Sequence, residues 1–526
     1  MAPIKHSPLV AALLRPEAYP DQVASVELVE THISYLFLTG QYVYKVKKPV
    51  DYGFLDFTTL EQRRYYCHQE VDLNRRLSPQ VYVGVVEVNQ KGDAFTFGGA
   101  GETVDYAVKM VQLPRERAMT HLLQRGLVSE RDIRRLAVKI ANFHRRAETG
   151  PEITELGDWD AVGRNIAENF QQTARFIGTG LAQAEFDDLR AYGRAFLDQK
   201  RSRFDQRAAE GRIKDGHGDL HTAQIFLENG ISIIDCIEFN NRFRYSDVAE
   251  DIAFLAMDLD YHHRPDLSQL FVQTYIEESG DDGVAGLLDF FKAYRAYVRG
   301  KVTSFRLDDA QLAEEERDRV LATARSYFQL AHSYLPILPQ PTLILVAGLT
   351  GAGKSAVAQE LARRWDLAYI SSDITRKELA GIPLEEHRYQ DFGQGIYSSD
   401  FSRRTYQAML AQAARHLSGG RSVVMDGTFR RARERSLAAV LGKEHNAGVW
   451  MVECVLPPDI ARQRLDQRVE AGGEISDGRW EIYQQQQQEW EPVQEVAEER
   501  HLMLDTSGSL PETMGDLLYR FYCNIM

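Results

Sequence analysis

GLTGAGKS, Gly348 to Ser355, is the stretch on which the reading of this chain turns. It fits G-x-x-x-x-G-K-[ST], a loop whose backbone cradles nucleotide phosphates. Gly348, Gly351 and Gly353 let the backbone approach an anion closely. The N–H groups of the loop, Ala352 among them, and of the following helix N-terminus then point at the phosphates. The pattern places Lys354 to reach the β- and γ-phosphates and the Ser355 hydroxyl to hold Mg²⁺. The flanks agree. TLILVAG before the loop is a buried-strand run. After it, Val357, Ala358, Leu361, Ala362 and Trp365 recur at helical spacing. A plain Gly-rich turn would need neither flank.

Around this loop, residues 342–526 alternate strand-like and helix-like stretches: TLILVA, LAYIS, SVVMD, VWMVECVL and HLMLD, with helical patterns between. The expected unit is a parallel sheet covered on both faces, a three-layer α/β domain. Ligands in such sheets bind beyond the C-terminal strand ends. SSDITRK follows the second strand and puts Asp373 and Arg376 on one side of a first helical turn. There the carboxylate can take a proton from an attacking hydroxyl while the guanidinium holds an acidic group. An N-cap Asp beside a surface Arg is the plainer alternative. Asp426 ends the third strand, either as a group acting on the Mg²⁺ shell or as a turn residue. RQRLDQR supplies Arg462, Arg464 and Arg468. Arg464 and Arg468 are i, i+4 neighbours and are candidates to close over the phosphates and supply transition-state charge, unless this is a solvated basic helix. The run QQQQQ at 484–488 reads as a polar helix face.

Pro336, Pro339 and Pro341 break the helical pattern just before the P-loop strand, giving a linker over 336–341. What precedes it divides in two. Residues 1–112 read as a small β-rich lobe, with strands at 31–38 and 42–48 about the turn Thr39-Gly40-Gln41, a helical stretch containing Glu70, and two further strands. Lys45 and Lys47 share one strand face. Lys45 is then either a phosphate ligand or part of a lysine-decorated edge. Residues 113–335 are mostly helical, interrupted by GHGDLHTAQIFLENGISIIDCIEFN at 216–240. That stretch predicts a hairpin about Asn229-Gly230 with Asp219 and Asp235 close together at one end. Two near carboxylates call for a cation or proton between them. A Mg²⁺-nucleotide site, with one Asp as base and one as metal ligand, meets that need; turn-capping carboxylates are the alternative. His217 and His221 are read as orienting the loop rather than binding zinc. Arg295 and Arg299, one turn apart on a helix, can hold an acidic substrate or face solvent, and Glu314 to Glu316 read as solvated.

The net charge of −14 over 526 residues disfavours a general nucleic-acid partner, though it leaves a local basic groove open. Cys67, Cys236, Cys454 and Cys523 lack disulfide or zinc spacing, so reduced thiols in a cytoplasmic setting are expected. The first residues, MAPIKHSPLVAALLRPEAYP, carry no apolar stretch sufficient for export, and no run of about 18 apolar residues occurs, so no membrane role is expected.

HGDLH followed by IID resembles the aminoglycoside phosphotransferase family over roughly residues 30–300. The resemblance implies a protein-kinase-like bilobal fold. It implies that Lys45, in YKVKKP, is the nucleotide lysine with Glu70 as helix partner, that Asp219 accepts the acceptor's hydroxyl proton, and that Asp235 binds metal. SDVAEDIAFL resembles the acidic helix start that follows, giving Asp247 and Asp251 structural roles. The family usually has a metal-binding Asn five residues after the catalytic Asp. Gln224 stands there, one methylene longer, against the short octahedral shell of Mg²⁺. The family's usual tryptophan is replaced within CIEFN, where Glu238 and Asn240 are candidates to shape the site. Residues 342–526 resemble P-loop kinases of the type that includes polynucleotide 5′-kinase, zeta toxin and chloramphenicol phosphotransferase. The whole chain is similar to bacterial fused proteins described as aminoglycoside phosphotransferase plus ATP-binding protein. The expectation is an α+β and α/β multidomain chain with two ATP- and Mg²⁺-dependent phosphotransferase units acting on hydroxylated small molecules, activity being expected first of the P-loop unit, whose motif is intact. Two other functions stay open: a polynucleotide 5′-hydroxyl kinase, and a regulatory protein whose kinase-like half senses ligand without catalysis.

Overall fold

The computed structural model describes residues 7–309, 312–384, 386, 393–471 and 478–526. The chain forms two compact units, Met1–Leu181 with Lys200–Tyr334, and Ala182–Gln199 with Leu335–Met526. No composition shift or break marks 182–199 as grouping with the second unit. They open the helix Gln183–Ala209, whose pattern runs on without a break.

The first unit is bilobal. Its small lobe is an antiparallel six-stranded sheet in the order Glu27–Glu30, Ser34–Leu38, Tyr42–Lys47, Glu102–Val111, Tyr82–Lys91, Ala94–Phe97. Period-2 alternation sends Tyr44 and Val46 of the third strand to one face, with Val10 and Leu13 of the helix Pro8–Leu13. The other face takes Val43 with Cys67 and Val71 of the helix Leu60–Arg75, which opens with a Thr59–Gln62 capping box. The lysine strand is paired on both sides, to Ser34–Leu38 and to Glu102–Val111. It is not an edge, so the decorated-edge reading of Lys45 fails. The strands Glu27–Glu30 and Ala94–Phe97 add to the four expected from the sequence. The helical lobe packs Glu130–Arg146 against Pro265–Ser279, Val248–Tyr261 against Pro265–Ser279 and Leu288–Phe305, and Leu288–Phe305 against Glu314–Ser333, and it contains the predicted hairpin. That hairpin pairs Ile225–Leu227 with Ile231–Ile233.

The second unit is a parallel five-stranded sheet in the order Ala368–Ser371, Val423–Asp426, Thr342–Ala347, Gly448–Val455, His501–Asp505. The P-loop strand is central, and alternation along it feeds two cores. Ile344 and Val346 pack with Leu361 of the helix Lys354–Trp365 and with Leu517 and Phe521 of Leu510–Ile525. Leu343 and Leu345 pack with Met409 of Ser399–Ser418 and Ala438 of Ala432–Glu444. Each such side chain removed from water contributes about 1.5–3 kcal/mol. A central strand buried on both faces therefore anchors the loop at its tip. Among the described residues no helix is long and apolar enough to cross a membrane.

Candidate nucleotide sites

In the second unit the chain leaves the central strand at Ala347 and turns through Gly348, Gly351 and Gly353, all at positive φ. Gly348 is required on two counts. Its φ is +140°, and a Cβ there would sit 2.4 Å from the Cys454 carbonyl oxygen. Gly353 caps the helix that begins at Lys354. Ala352 is buried, and its carbonyl accepts from Thr506 Oγ1 at 2.9 Å. Lys354 Nζ donates to the Leu349 carbonyl at 2.8 Å, folded back across the loop it would serve.

Four further groups meet this loop in one cleft. It is lined by Lys354, Ser355, Asp373, Arg376, Tyr397 and Asp426, among others. Asp426 is buried at the end of its strand and accepts from the Tyr369 hydroxyl at 2.9 Å. Burial raises its carboxyl above the usual range and the like charge of Asp373 adds to this, against the opposing pull of Lys354 and the hydrogen bonds of Ser355 and Tyr369. A hydroxyl and two carboxylates that disfavour each other's charge suit a hard divalent cation such as Mg²⁺. Asp373 accepts from Arg376 NH1 at 3.0 Å, so the two do share one side of the first helical turn. Arg376 is buried, lies over the Tyr397 ring at 4.9 Å, and keeps Nε without a hydrogen-bond partner.

Of the three candidate lid arginines, Arg464 lies beside the P-loop. Arg464 NH2 donates to the Thr506 carbonyl at 2.7 Å and the Ser507 carbonyl at 3.3 Å, beside Gly353. Arg462 is exposed near Asp466. Arg468 belongs to the helix Pro458–Ala471, but its side chain lies outside the described residues. Gln486, inside the glutamine run, is buried, and its Oε1 accepts from the Thr350 N–H of the P-loop at 2.9 Å. The run is thus no uniformly solvated face. Nothing in a string of five glutamines marks out the one that touches the loop.

In the first unit, Lys45 Nζ meets Glu70 Oε1 at 2.8 Å and Asp235 Oδ1 at 2.6 Å. Lys47 Nζ meets Glu70 Oε2 at 2.6 Å and also binds Glu238. One carboxylate therefore bridges both lysines of the strand. Burial favours neutral forms throughout, yet the two ammonium groups outweigh it at Glu70 and hold its carboxyl down at about 2. Glu238 goes the other way, raised by burial and by the charge of Glu70. Lys47 and Glu238 are the partners that the sequence left undefined. The signals were that Lys47 shares the Lys45 face and that Glu238 stands in CIEFN; their pairing with each other was not among them.

The catalytic-looking loop is held from behind. Asp251 accepts from the backbone N–H of His217 at 2.7 Å and of Gly218 at 2.9 Å, and Asp247 caps the same helix and pairs with Arg207. His217 bridges the loop to the hairpin through the Ile234 carbonyl at 3.0 Å and lies near the Asp219 N–H. His221 Nε2 lies 3.3 Å from Asp219. Both histidines thus orient the loop, and among the described residues no group of three possible ligands could hold a metal ion unaided. Burial opposes ionisation of Asp219, but His221, with Arg299 and His217 behind it, holds the carboxyl well below its usual range. Gln224 Nε2 donates to Asp235 Oδ2 at 3.2 Å, so the residue in the family's Asn position does reach the metal-type aspartate. Asn240 instead donates to the Phe54 carbonyl, and Arg295, far from a solvated face, is buried against Glu250 at 2.9 Å.

Comparison with known proteins adds two findings. A family model described as an AAA domain matches residues 343–493. The uncharacterized protein Rv2004c of Mycobacterium tuberculosis (strain ATCC 25618 / H37Rv) is 33% identical over 463 residues, spanning 87% of this chain and 88% of its own length. The chain belongs to that family. Protein MT2060 of Mycobacterium tuberculosis (strain CDC 1551 / Oshkosh), also uncharacterized, matches to the same extent. Among solved structures, the GDP complex of aminoglycoside 2′-phosphotransferase-IIIa superimposes with a TM-score of 0.35 at 16% identity, covering 59% of this chain and 94% of that one. A putative kinase from Chloroflexus aurantiacus gives 0.27 at 20% identity, covering 34% and 93%.

Proposed function

We propose that the P-loop unit is an ATP-dependent kinase transferring the γ-phosphoryl group to a hydroxyl of a small molecule. The observation that carries the reading is the convergence of Lys354, Ser355, Asp426, Asp373 and Arg376 on one cleft at the C-terminal ends of a parallel sheet. In this reading the loop N–H groups and Lys354 bind the β- and γ-phosphates. Asp373 takes the proton of the attacking hydroxyl, and Arg376 holds the acceptor or the transferring group. Ser355 and Asp426 would hold Mg²⁺, which supplies charge neutralisation of the phosphates when bound. Arg464 stands beside Gly353, and both it and Arg468 are assigned to closure over the nucleotide. The hydrogen bond from Tyr369 fixes one Asp426 oxygen.

The bilobal unit is read as a second ATP-dependent phosphotransferase. Lys45, oriented by Glu70, serves the nucleotide phosphates, and Asp219 is the base. Asp235 and Gln224 would hold Mg²⁺, since their side chains already meet. A non-catalytic sensor role is the second reading. It is favoured by the hold of both Lys45 and Gln224 on Asp235, which a metal would have to loosen.

The test is ATP turnover by the full chain against a pooled set of hydroxylated metabolites, comparing wild type with Lys354→Ala and Asp219→Ala. Each substitution is expected to lower the rate of its own product by about 10²–10³-fold. If only Lys354→Ala acts, the bilobal unit is a sensor. If neither acts, the kinase assignment of both sites is wrong.

A further inference from the structure

Arg295 and Arg299 sit one turn apart on the helix Leu288–Phe305, and their surroundings differ. Arg295 is neutralised by Glu250 at 2.9 Å and lies over the Phe254 ring at 4.7 Å. No carboxylate among the described residues lies within ion-pair distance of Arg299. Its guanidinium lies over the Tyr327 ring at 5.6 Å, and Tyr327 stacks on Tyr261 at 4.0 Å. Its Nε, like that of Arg295, is buried without a hydrogen-bond partner; what separates the two arginines is the carboxylate of Glu250.

The carboxylates whose charge Arg299 feels are Asp219 and Asp258. Asp258 is already filled by Thr222, whose N–H and hydroxyl donate to one oxygen at 2.8 and 2.6 Å. Asp219 is engaged by His221, and its side chain remains 31% exposed. A desolvated cation without a counter-charge is unfavourable unless a ligand completes it. The Tyr327 hydroxyl also engages the guanidinium, and the planar donor fork of an arginine matches a carboxylate or phosphate.

We propose that the acceptor of the bilobal unit carries an anionic group, a carboxylate or a phosphate ester, which Arg299 binds beside Asp219. The inference rests on the reading of Asp219 as the base. The acceptor oxygen forms a bond to the γ-phosphorus of ATP, the bond from that phosphorus to the β,γ-bridging oxygen breaks, ADP leaves, and the hydroxyl proton passes to Asp219. The unpaired Arg299 charge repels a polycationic acceptor and fixes the reacting hydroxyl through the anionic end of the molecule.

The experiment uses the full chain carrying Lys354→Ala, which silences the P-loop. Transfer from γ-labelled ATP is measured to hydroxy acids, their methyl esters, sugar phosphates, the parent sugars and an aminoglycoside. The expected products come from the hydroxy acids or the sugar phosphates; which of the two identifies the anion. Arg299→Gln then raises KM for that acceptor by about 10–100-fold with kcat unchanged, Arg299→Lys recovers part of the loss, and the uncharged partner compound shows no response. If products form from esters, sugars or the aminoglycoside, or if neither Arg299 variant moves KM, the proposal is overturned while Asp219 keeps its role. If no acceptor is labelled and Asp219→Asn changes no ATP consumption, the phosphotransferase reading of this unit falls, and the proposal with it.

Discussion

Replacing Lys47 by Met probes a fully buried charge of the first unit. The Lys47 ammonium is fully buried, as is Glu70, and the Glu238 side chain is 4% exposed. Lys45 keeps Glu70 paired in the variant, so the damage concentrates on Glu238. Removing one member of a buried ion pair costs about 3–5 kcal/mol. For a unit of this size that is a fall in melting temperature of roughly 6–10 °C. Calorimetry of the full chain reads the shift. Hydrogen exchange assigns it, with lost protection in the strand Tyr42–Lys47 and none in Thr342–Ala347. The pH dependence is a further check. An orphaned Glu238 has a folded-state pKa raised above its unfolded value, so the folded variant binds the extra proton and its stability falls as pH rises through that raised value. The deficit should therefore be larger at pH 8 than at pH 5. Adding Glu238→Met removes the orphan charge and should restore at least half of the loss. The reasoning is refuted if the single variant stays within about 0.5 kcal/mol of wild type, or if the double variant equals the sum of the two single ones.

Gly348→Ala forces a Cβ against the Cys454 carbonyl at a φ of +140°, and should cost about 1–3 kcal/mol together with nucleotide affinity; unchanged ATP binding by calorimetric titration would count against the loop as the phosphate site. Gln486→Leu leaves the Thr350 N–H buried and unpaired, at about 1–3 kcal/mol, and should raise the KM for ATP of the P-loop reaction while sparing the bilobal one. Asp219 is held ionised below its ordinary value, so its charged form is present above that value and is lost only as pH falls through the depressed one. A pH–rate profile of the bilobal reaction should show no acid limb from this group above about pH 4, and His221→Phe should move the limb upward; a wild-type limb near pH 6 would mean that another group is the base.

Much of this protein is local in its sequence and was legible there. All five strands of the parallel sheet follow from short apolar runs between turn signals. The P-loop follows from the three glycines, Lys354 and Ser355, because its function is carried by contiguous backbone. The hairpin that leads into Asp235 follows from Asn229-Gly230 and the period of two. Asp373 and Arg376 meet because three residues on a helix share a face.

The tertiary structure decided whatever depends on residues distant along the chain. Only the pairing of the lysine strand on both sides turns Lys47 from a surface charge into a buried partner of Glu70 and Glu238. Only the packing of the helix Leu288–Phe305 separates Arg295, paired with Glu250, from Arg299, which has no ion-pair partner among the described residues. Gln486 touches Thr350 across more than a hundred residues, and no pattern in a glutamine run encodes which member does so. Periodicity reports which face of an element leaves water. It cannot report what lies across that face, and burial and charge partners are properties of that second surface.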